Sequence, residues 1–583
     1  MRRFLSIFSV VLSLSLVAVL TPGVASAQKK QEPGTARKEM VVTANPDASA
    51  AAAKVLRRGG TAVDAMIAAQ AMLGLVEPQS SGLGGGAFVV YYDAKSGKLT
   101  TYDARETAPA AATETRFQGM GFFDAWQSGL SVGVPGIPKL LEKLYNDHGR
   151  LDPKILIRDA ERKAERGFPL TERTSSQVAS LLALNPSCED RLFFRDPAAF
   201  EYFANPDCTA KPAGTIIRNR DYARTLRTVA KNGSDVFYKG RIGRDIVEAV
   251  QSDPAMAGDM TMEDLRNYRV VEREPVCIEY RGHHVCGMGP PSSGGLAVGQ
   301  ILGILESFDL GDDPLAVDAV HLVTQASRLA FADRNLYVGD SDFVTVPIAG
   351  MLDRDYLASR AALITDTDLG TASPGLPPGE FDPTSPATED TESGTSHISI
   401  VDRYGNALSM TTTVESSFGN GVLVDGFLLN NQLTDFSFSP TTSDGTPVAN
   451  RVQPNKRPRS SMSPTIVLDG KGDVKLLTGS PGGSRIIGYT AQSIINVLDF
   501  GLDPQTAVEV PHYLNRNGNT ELEEPIPGVT LDYDVEALKA ELEARGHPVQ
   551  IGELTSGLSL ILVADGKLIG GADQRRDGAI GGR

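Results

Sequence analysis

The polar and apolar positions divide the chain near residue 395. Residues 371–394 (TASPGLPPGEFDPTSPATEDTESG) are proline, glycine, hydroxyl and acidic types with no apolar period, the composition of an exposed loop. At Thr395 the pattern becomes strict alternation, with Thr395, His397 and Ser399 on one face and Ser396, Ile398 and Ile400 on the other. A turn at Arg403-Tyr404-Gly405-Asn406 leads into a second run at 407–414, which predicts a hairpin. Helices are expected at 488–498 and 535–545, and closing strands at 558–563. Upstream, 47–58 and 61–75 have helical spacing split by Gly59-Gly60, 77–86 is a glycine-rich turn, and 87–92 with 99–103 reads as a strand pair. Residues 140–268 and 299–340 are mostly amphipathic helix with polar loops. There is no internal repeat. Periodicity alone supports an α+β fold with stacked sheets.

The N-terminus changes the picture of where this fold works. Arg2 and Arg3 precede a charge-free run at 4–20, and Ala25-Ser26-Ala27 forms an A-x-A site before Gln28. Residues 1–27 are therefore expected to be a signal peptide, with a periplasmic or extracellular product. An uncleaved anchor is the alternative, and the A-x-A site argues against it. No later stretch is long and apolar enough to span a bilayer. The net charge of −16 becomes −18 once Arg2 and Arg3 leave, which disfavours nucleic acid and anionic membranes as partners. It says nothing about substrate.

Four cysteines, Cys188, Cys208, Cys277 and Cys286, read as disulfides in an exported chain. Three connectivities are possible. The local one, 188–208 across a Pro/Asn/Asp-rich loop and 277–286 across a hairpin, is expected. A zinc site from Cys277, His283, His284 and Cys286 has no familiar spacing. The run Gly82-Leu83-Gly84-Gly85-Gly86 lacks the lysine of a phosphate loop and reads as tight packing.

Chemistry is expected where the loop meets the strand. A hydroxyl residue, Thr395, opens the strand directly after Gly394, whose missing Cβ permits strained geometry and leaves its carbonyl open. Attack by the Thr395 hydroxyl on that carbonyl, followed by hydrolysis, would free Thr395 as a new chain end. Its α-amine, titrating near pH ~8, would then be a base beside its own hydroxyl. A Gly-Thr step before a strand is common, and alone it is usually structural.

Thr395-Ser396-His397, N-N-Q-L-T-D-F-S from Asn430, P-N-K-R-P-R-S-S-M-S-P from Pro454 and G-S-P-G-G-S-R from Gly479 together resemble the γ-glutamyltransferases. These are N-terminal-nucleophile hydrolases. The likeness continues upstream in E-P-Q-S-S-G-L-G-G-G-A-F from Glu77, D-A-R-E-T-A-P from Asp103 and P-P-S-S-G-G from Pro290, and so covers nearly all of the chain after the first forty or so residues. It implies a four-layer αββα sandwich, made jointly by a large subunit (28–394) and a small subunit (395–583) after self-cleavage at Gly394–Thr395.

The resemblance also implies roles. Thr395 is the nucleophile, and the backbone N–H groups of Gly482 and Gly483 are oxyanion donors. Thr413 holds the nucleophile's surroundings by hydrogen bonding. Arg105, whose fork suits a carboxylate, and the Ser460 and Ser461 hydroxyls match the family's positions for the substrate α-carboxylate. Asp435 and Gln432 match those for the α-ammonium. Glu415 stands where some members carry Asn, and a carboxylate there could bind the ammonium directly. Read alone, Arg105 beside Glu106 is a solvated salt bridge and the serine pair a turn. His397 is expected to be a packed support. Between Phe436 and Pro454 some relatives carry a tyrosine-bearing cover; this chain has none there, which suggests a more open cleft.

The expected substrates are glutathione and other γ-glutamyl compounds, with water, amino acids or peptides as acceptors and no metal or organic cofactor. Two rivals remain: a glutaryl or cephalosporin acylase of the same superfamily, and a non-catalytic periplasmic binding protein.

Overall fold

The computed structural model describes residues 33–386 and 394–583. The expected signal peptide and residues 387–393 of the loop lie outside them. Two seven-stranded antiparallel sheets form the centre. In spatial order the first runs Ala579–Gly582, Met40–Thr43, Ser396–Val401, Ala407–Thr413, Gly86–Asp93, Lys98–Ala104 and Val271–Arg273. The second runs Gly34–Ala36, Lys567–Ala572, Ser559–Ala564, Val474–Thr478, Thr465–Leu468, His283–Gly287 and Val276–Tyr280.

Alternation decides which face meets what. Ile398 and Ile400, with Leu408, Met410 and Val89, pack against helices Pro46–Arg57 and Ala62–Val76. Thr61 and Asp64 form the capping box that starts the second helix, which is buried along its whole length. From the opposite face Val401, Ala407 and Val90 meet Ile466, Leu477 and Ile561 of the second sheet. That sheet's outer residues Val285, Val467 and Leu476 pack under helices Gly294–Leu305, Val317–Tyr337 and Ile486–Leu498. Four layers result, helix, sheet, sheet and helix, as the resemblance implies.

The hairpin is Ser396–Val401 paired with Ala407–Thr413, in the register Ser396↔Thr412 to Val401↔Ala407. Both disulfides form in the local pattern, Cys188–Cys208 and Cys277–Cys286. The second joins residues directly opposite each other in the hairpin register, so neither sulfur is a zinc ligand. The helical stretch with polar loops expected at 299–340 is two helices, Gly294–Leu305 and Val317–Tyr337, joined by a loop in which Gly311 has φ of +73°. The first of them begins early, inside P-P-S-S-G-G. A Cβ on Gly295 would fall 2.5 Å from the Met288 carbonyl, so close approach selects glycine there rather than ending the helix. Among the described residues no helix is long and apolar enough to cross a membrane.

Candidate active site

Thr395 is buried at the head of strand Ser396–Val401. Its Oγ1 donates to Thr413 Oγ1 at 3.1 Å. Thr413 in turn donates to the Gly394 carbonyl at 3.3 Å and accepts the Glu415 N–H at 2.8 Å. One hydroxyl therefore touches both the candidate nucleophile and the carbonyl it would attack. Gly394 is fixed by its own N–H donating to the Glu415 carbonyl at 2.9 Å. The reason for glycine differs from the expected one: its φ is not left-handed, but a Cβ would stand 2.5 Å from the Glu415 carbonyl oxygen. Space, not backbone strain, selects it.

The Gly479-to-Gly483 turn passes beside this strand. A Cβ on Gly479 would sit 2.1 Å from the His397 ring. Gly482 and Gly483 have φ of +131° and +62°, backbone conformations that glycine adopts far more readily than other residues. A side chain on Gly482 would strike Tyr489, and Gly557 packs against both Pro481 and Arg576. Arg576, buried, donates from Nη1 to the Thr395 carbonyl at 2.8 Å and so ties the turn's neighbourhood to the backbone of the candidate nucleophile.

His397 lies between the sheets. Its Nδ1 contacts Thr411 Oγ1 at 2.9 Å, and Nε2 contacts the hydroxyls of Ser399 and Ser409 at 3.2 and 3.3 Å. Burial lowers its pKa to about 3, so it is neutral at working pH and acts as a hydrogen-bonded support.

Arg105 and Asp435 form a buried ion pair. Arg105 also donates to the Pro458 and Arg459 carbonyls at 3.3 and 2.9 Å. Gln432 Nε2 donates to Asp435 Oδ2 at 2.7 Å. Ser460 and Ser461 are buried where P-P-S-S-G-G packs on P-R-S-S-M-S-P. The Ser293 N–H and hydroxyl both donate to the Ser460 carbonyl at 2.7 Å, and Arg334 Nη2 donates to Ser461 Oγ at 2.7 Å. Glu415 has φ +80° and accepts from Asn431 Nδ2. Burial, with the Asp435 charge adding, holds its pKa well above the carboxylate range.

Glu106, next to Arg105 in sequence, forms no ion pair with it; Arg105 pairs with Asp435 instead. Glu106 is fully buried with neither carboxyl oxygen hydrogen-bonded, and burial pushes its pKa up to about 8 against the pull of Arg105. The available signal for it in the sequence is its place in D-A-R-E-T-A-P. Arg576 was missed; Q-R-R-D carries no period or spacing that marks it. The segment after Phe436 folds back on itself, with Ser437 N–H donating to the Asn450 carbonyl at 2.9 Å, and is pinned by Asn450 Nδ2 to the Asp435 carbonyl at 2.6 Å.

The family model described as Gamma-glutamyltranspeptidase matches residues 48–582. Among characterised proteins the chain is similar to the glutathione hydrolase proenzyme of Bacillus subtilis (strain 168), at 36% identity over 97% of this chain and 96% of that protein. It is similar to the Escherichia coli (strain K12) protein of the same name at 35% identity, over 93% and 91%. Among solved structures, cephalosporin acylase from Bacillus halodurans superposes with a TM-score of 0.83 at 26% identity, over 97% of this chain and 99% of that one.

Proposed function

The chain belongs to the gamma-glutamyltranspeptidase family, and on that premise we propose that it is an exported enzyme that cuts itself at Gly394–Thr395 and then cleaves γ-glutamyl amides such as glutathione. The observation that carries this reading is the Thr395–Thr413–Gly394 hydroxyl chain, in a structure that also buries an Arg105–Asp435 pair.

In the precursor, Thr413 polarises the Gly394 carbonyl while accepting the Thr395 hydroxyl proton's hydrogen bond. Thr395 Oγ1 attacks the carbonyl carbon, the Gly394–Thr395 C–N bond breaks with the hydroxyl proton passing to the departing Thr395 nitrogen, and the acyl group is left on Oγ1 as an ester. Water hydrolyses this ester, leaving a carboxylate on Gly394 and a free α-amine on Thr395. The products are a large subunit (28–394) and a small one (395–583). Both sheets contain strands from each side of residue 395, which supports their staying together as a heterodimer.

In the mature site the Thr395 amine takes the hydroxyl proton as Oγ1 attacks the γ-carbonyl of the substrate. The Gly482 and Gly483 N–H groups stabilise the oxyanion, and the leaving amine takes the proton. The γ-glutamyl-threonine ester then passes its acyl group to water or to an amino acid or peptide amine. Arg105 with Ser460 and Ser461 receives the α-carboxylate, and Asp435, Gln432 and Glu415 receive the α-ammonium. Substrate thereby exchanges one internal ion pair for two external ones.

The likeness to a cephalosporin acylase favours one second reading, cleavage of glutaryl amides. Asp435 beside Gln432 opposes it, because a glutaryl group has no ammonium to bind. The test is a denaturing gel with N-terminal sequencing of any smaller band. A band beginning Thr395-Ser396-His397 is expected, absent from Thr395→Ala, with γ-glutamyl anilide turnover lower by at least about 10³-fold in that variant. A stable uncut chain, inert to γ-glutamyl amides, overturns the reading in favour of a binding protein. Preference for glutaryl over γ-glutamyl donors overturns it in favour of an acylase.

A further inference from the structure

A pocket of about 250 Å³, at the small end for a ligand site, opens beside the catalytic turn and has no part in the chemistry above. It borders that chemistry at two points. Ser484 and Arg485, which line it, directly follow Gly483. Arg334, on helix Val317–Tyr337, lines it too while donating to Ser461 Oγ at 2.7 Å and to Ser293 Oγ at 2.9 Å. The far wall is the turn at 516–519, which begins with Arg516, and the strand Thr520–Glu523 that carries Glu521.

The charges are unbalanced and held in place. Arg334 is committed to the serine turns; the other charged lining residues are two arginines, Arg485 and Arg516, and one acid, Glu521. Glu521 divides its two oxygens between those two, accepting from Arg485 Nε at 2.7 Å and from Arg516 Nε and Nη2 at 2.9 and 2.8 Å. Arg516 Nη1 also donates to Ser484 Oγ at 2.8 Å. Arg485 and Arg516 keep 32% and 28% of their side chains exposed, so a ligand can reach them. One shared carboxylate neutralises half of that pair. The chain as a whole is strongly acidic, so a built cationic pocket is not a reflection of average composition.

We propose that this pocket binds the carboxylate of the group beyond the scissile amide: the C-terminal carboxylate of the leaving peptide, and that of a peptide acceptor entering in its place. The assignment rests on the γ-glutamyl reading above, in which Arg105 and the serine pair take the other carboxylate, the one on the donor's α-carbon. A planar carboxylate matches the arginine fork, and the pocket adjoins the oxyanion turn on which the amide would lie.

The test uses two donors that differ in one group, γ-glutamyl-glycine and γ-glutamyl-glycinamide. Wild-type kcat/KM is expected to be about tenfold higher for the carboxylate form, the size of one charge-assisted hydrogen bond, with the difference in KM. Arg516→Gln and, separately, Arg485→Gln are expected to remove most of that ratio while leaving turnover of the amide form unchanged. Equal wild-type values for the two donors overturn the proposal without any variant. So does a variant that loses both donors in proportion, which marks the arginines as structural. Inertness of the wild type toward both donors overturns the γ-glutamyl reading itself, and this assignment with it.

Discussion

The two faces of the hairpin at residues 396–413 have the same backbone and opposite chemistry. On the helix side Ile398, Ile400, Leu408 and Met410 are all apolar and completely buried. On the inter-sheet side the composition changes along the strand. Val401 and Ala407 belong to an apolar cluster, Ser399 and His397 follow in a hydrogen-bonded patch, and Thr395 with Thr413 ends the series. Sheet stacking needs apolar pairs over part of its area only. Where they give out, every polar group must find a partner, and the hydroxyls that do so form the candidate site. One face is built for cohesion; the other grades from cohesion into chemistry.

That contrast can be broken from either side. The largest effect on stability is expected from Ile400→Ala, which leaves a cavity against the helices and costs roughly 3 kcal/mol. Measured by denaturant unfolding in the uncut Thr395→Ala background, it should lower stability, while in an otherwise wild-type chain the folded fraction still cuts itself. Loss of cutting in well-folded protein would show that the faces are not separable. Thr413→Val keeps shape and removes the bridging hydroxyl; self-cleavage followed on gels should slow about a hundredfold, while the Glu415 N–H left without its acceptor costs about 1–3 kcal/mol of stability. A variant that cuts at the wild-type rate would remove Thr413 from the mechanism. The smallest effect concerns Glu106. Its pKa is raised to about 8, so its contribution is fully present below the ordinary carboxylate pKa and is lost as pH rises through about 8. The wild-type melting temperature should therefore fall between pH 7 and 9 more than that of Glu106→Gln, by roughly 1–3 °C. Parallel curves would mean that Glu106 is already ionised.

Local patterns carried much of this fold into the sequence. The hairpin, the strand pair at 86–104, the helix on either side of Gly59-Gly60 and both disulfides follow from alternation, spacing and turn residues. Sheet order does not. Ser396–Val401 lies between its hairpin partner and Met40–Thr43, more than 350 positions away, and the edge is closed by Ala579–Gly582. No local period encodes such pairings. The candidate site divides the same way. Thr395, Thr413, Arg105 and Asp435 were legible through long ordered motifs, and the structure brings them into two buried hydrogen-bonded clusters. Glu106 is not legible in this way, because an acid beside an arginine, read alone, looks like a surface pair. Only the burial supplied by Gly86 and Gly133, whose missing side chains leave room for it, makes it a buried carboxyl.

The mixing of strands from both sides of residue 395 within each sheet has a consequence for molecularity. An unbroken chain reaches this architecture by a first-order process, with each half tethered to the other. A chain cut at Gly394 and then denatured yields two separate polypeptides, each with sheet edges that only the other can cover, and its recovery becomes second-order and dilution-sensitive. On the proposed reading, severing that bond would be a step taken once, after assembly, and the cut molecule would retain a shape that its fragments could regain only by finding each other again.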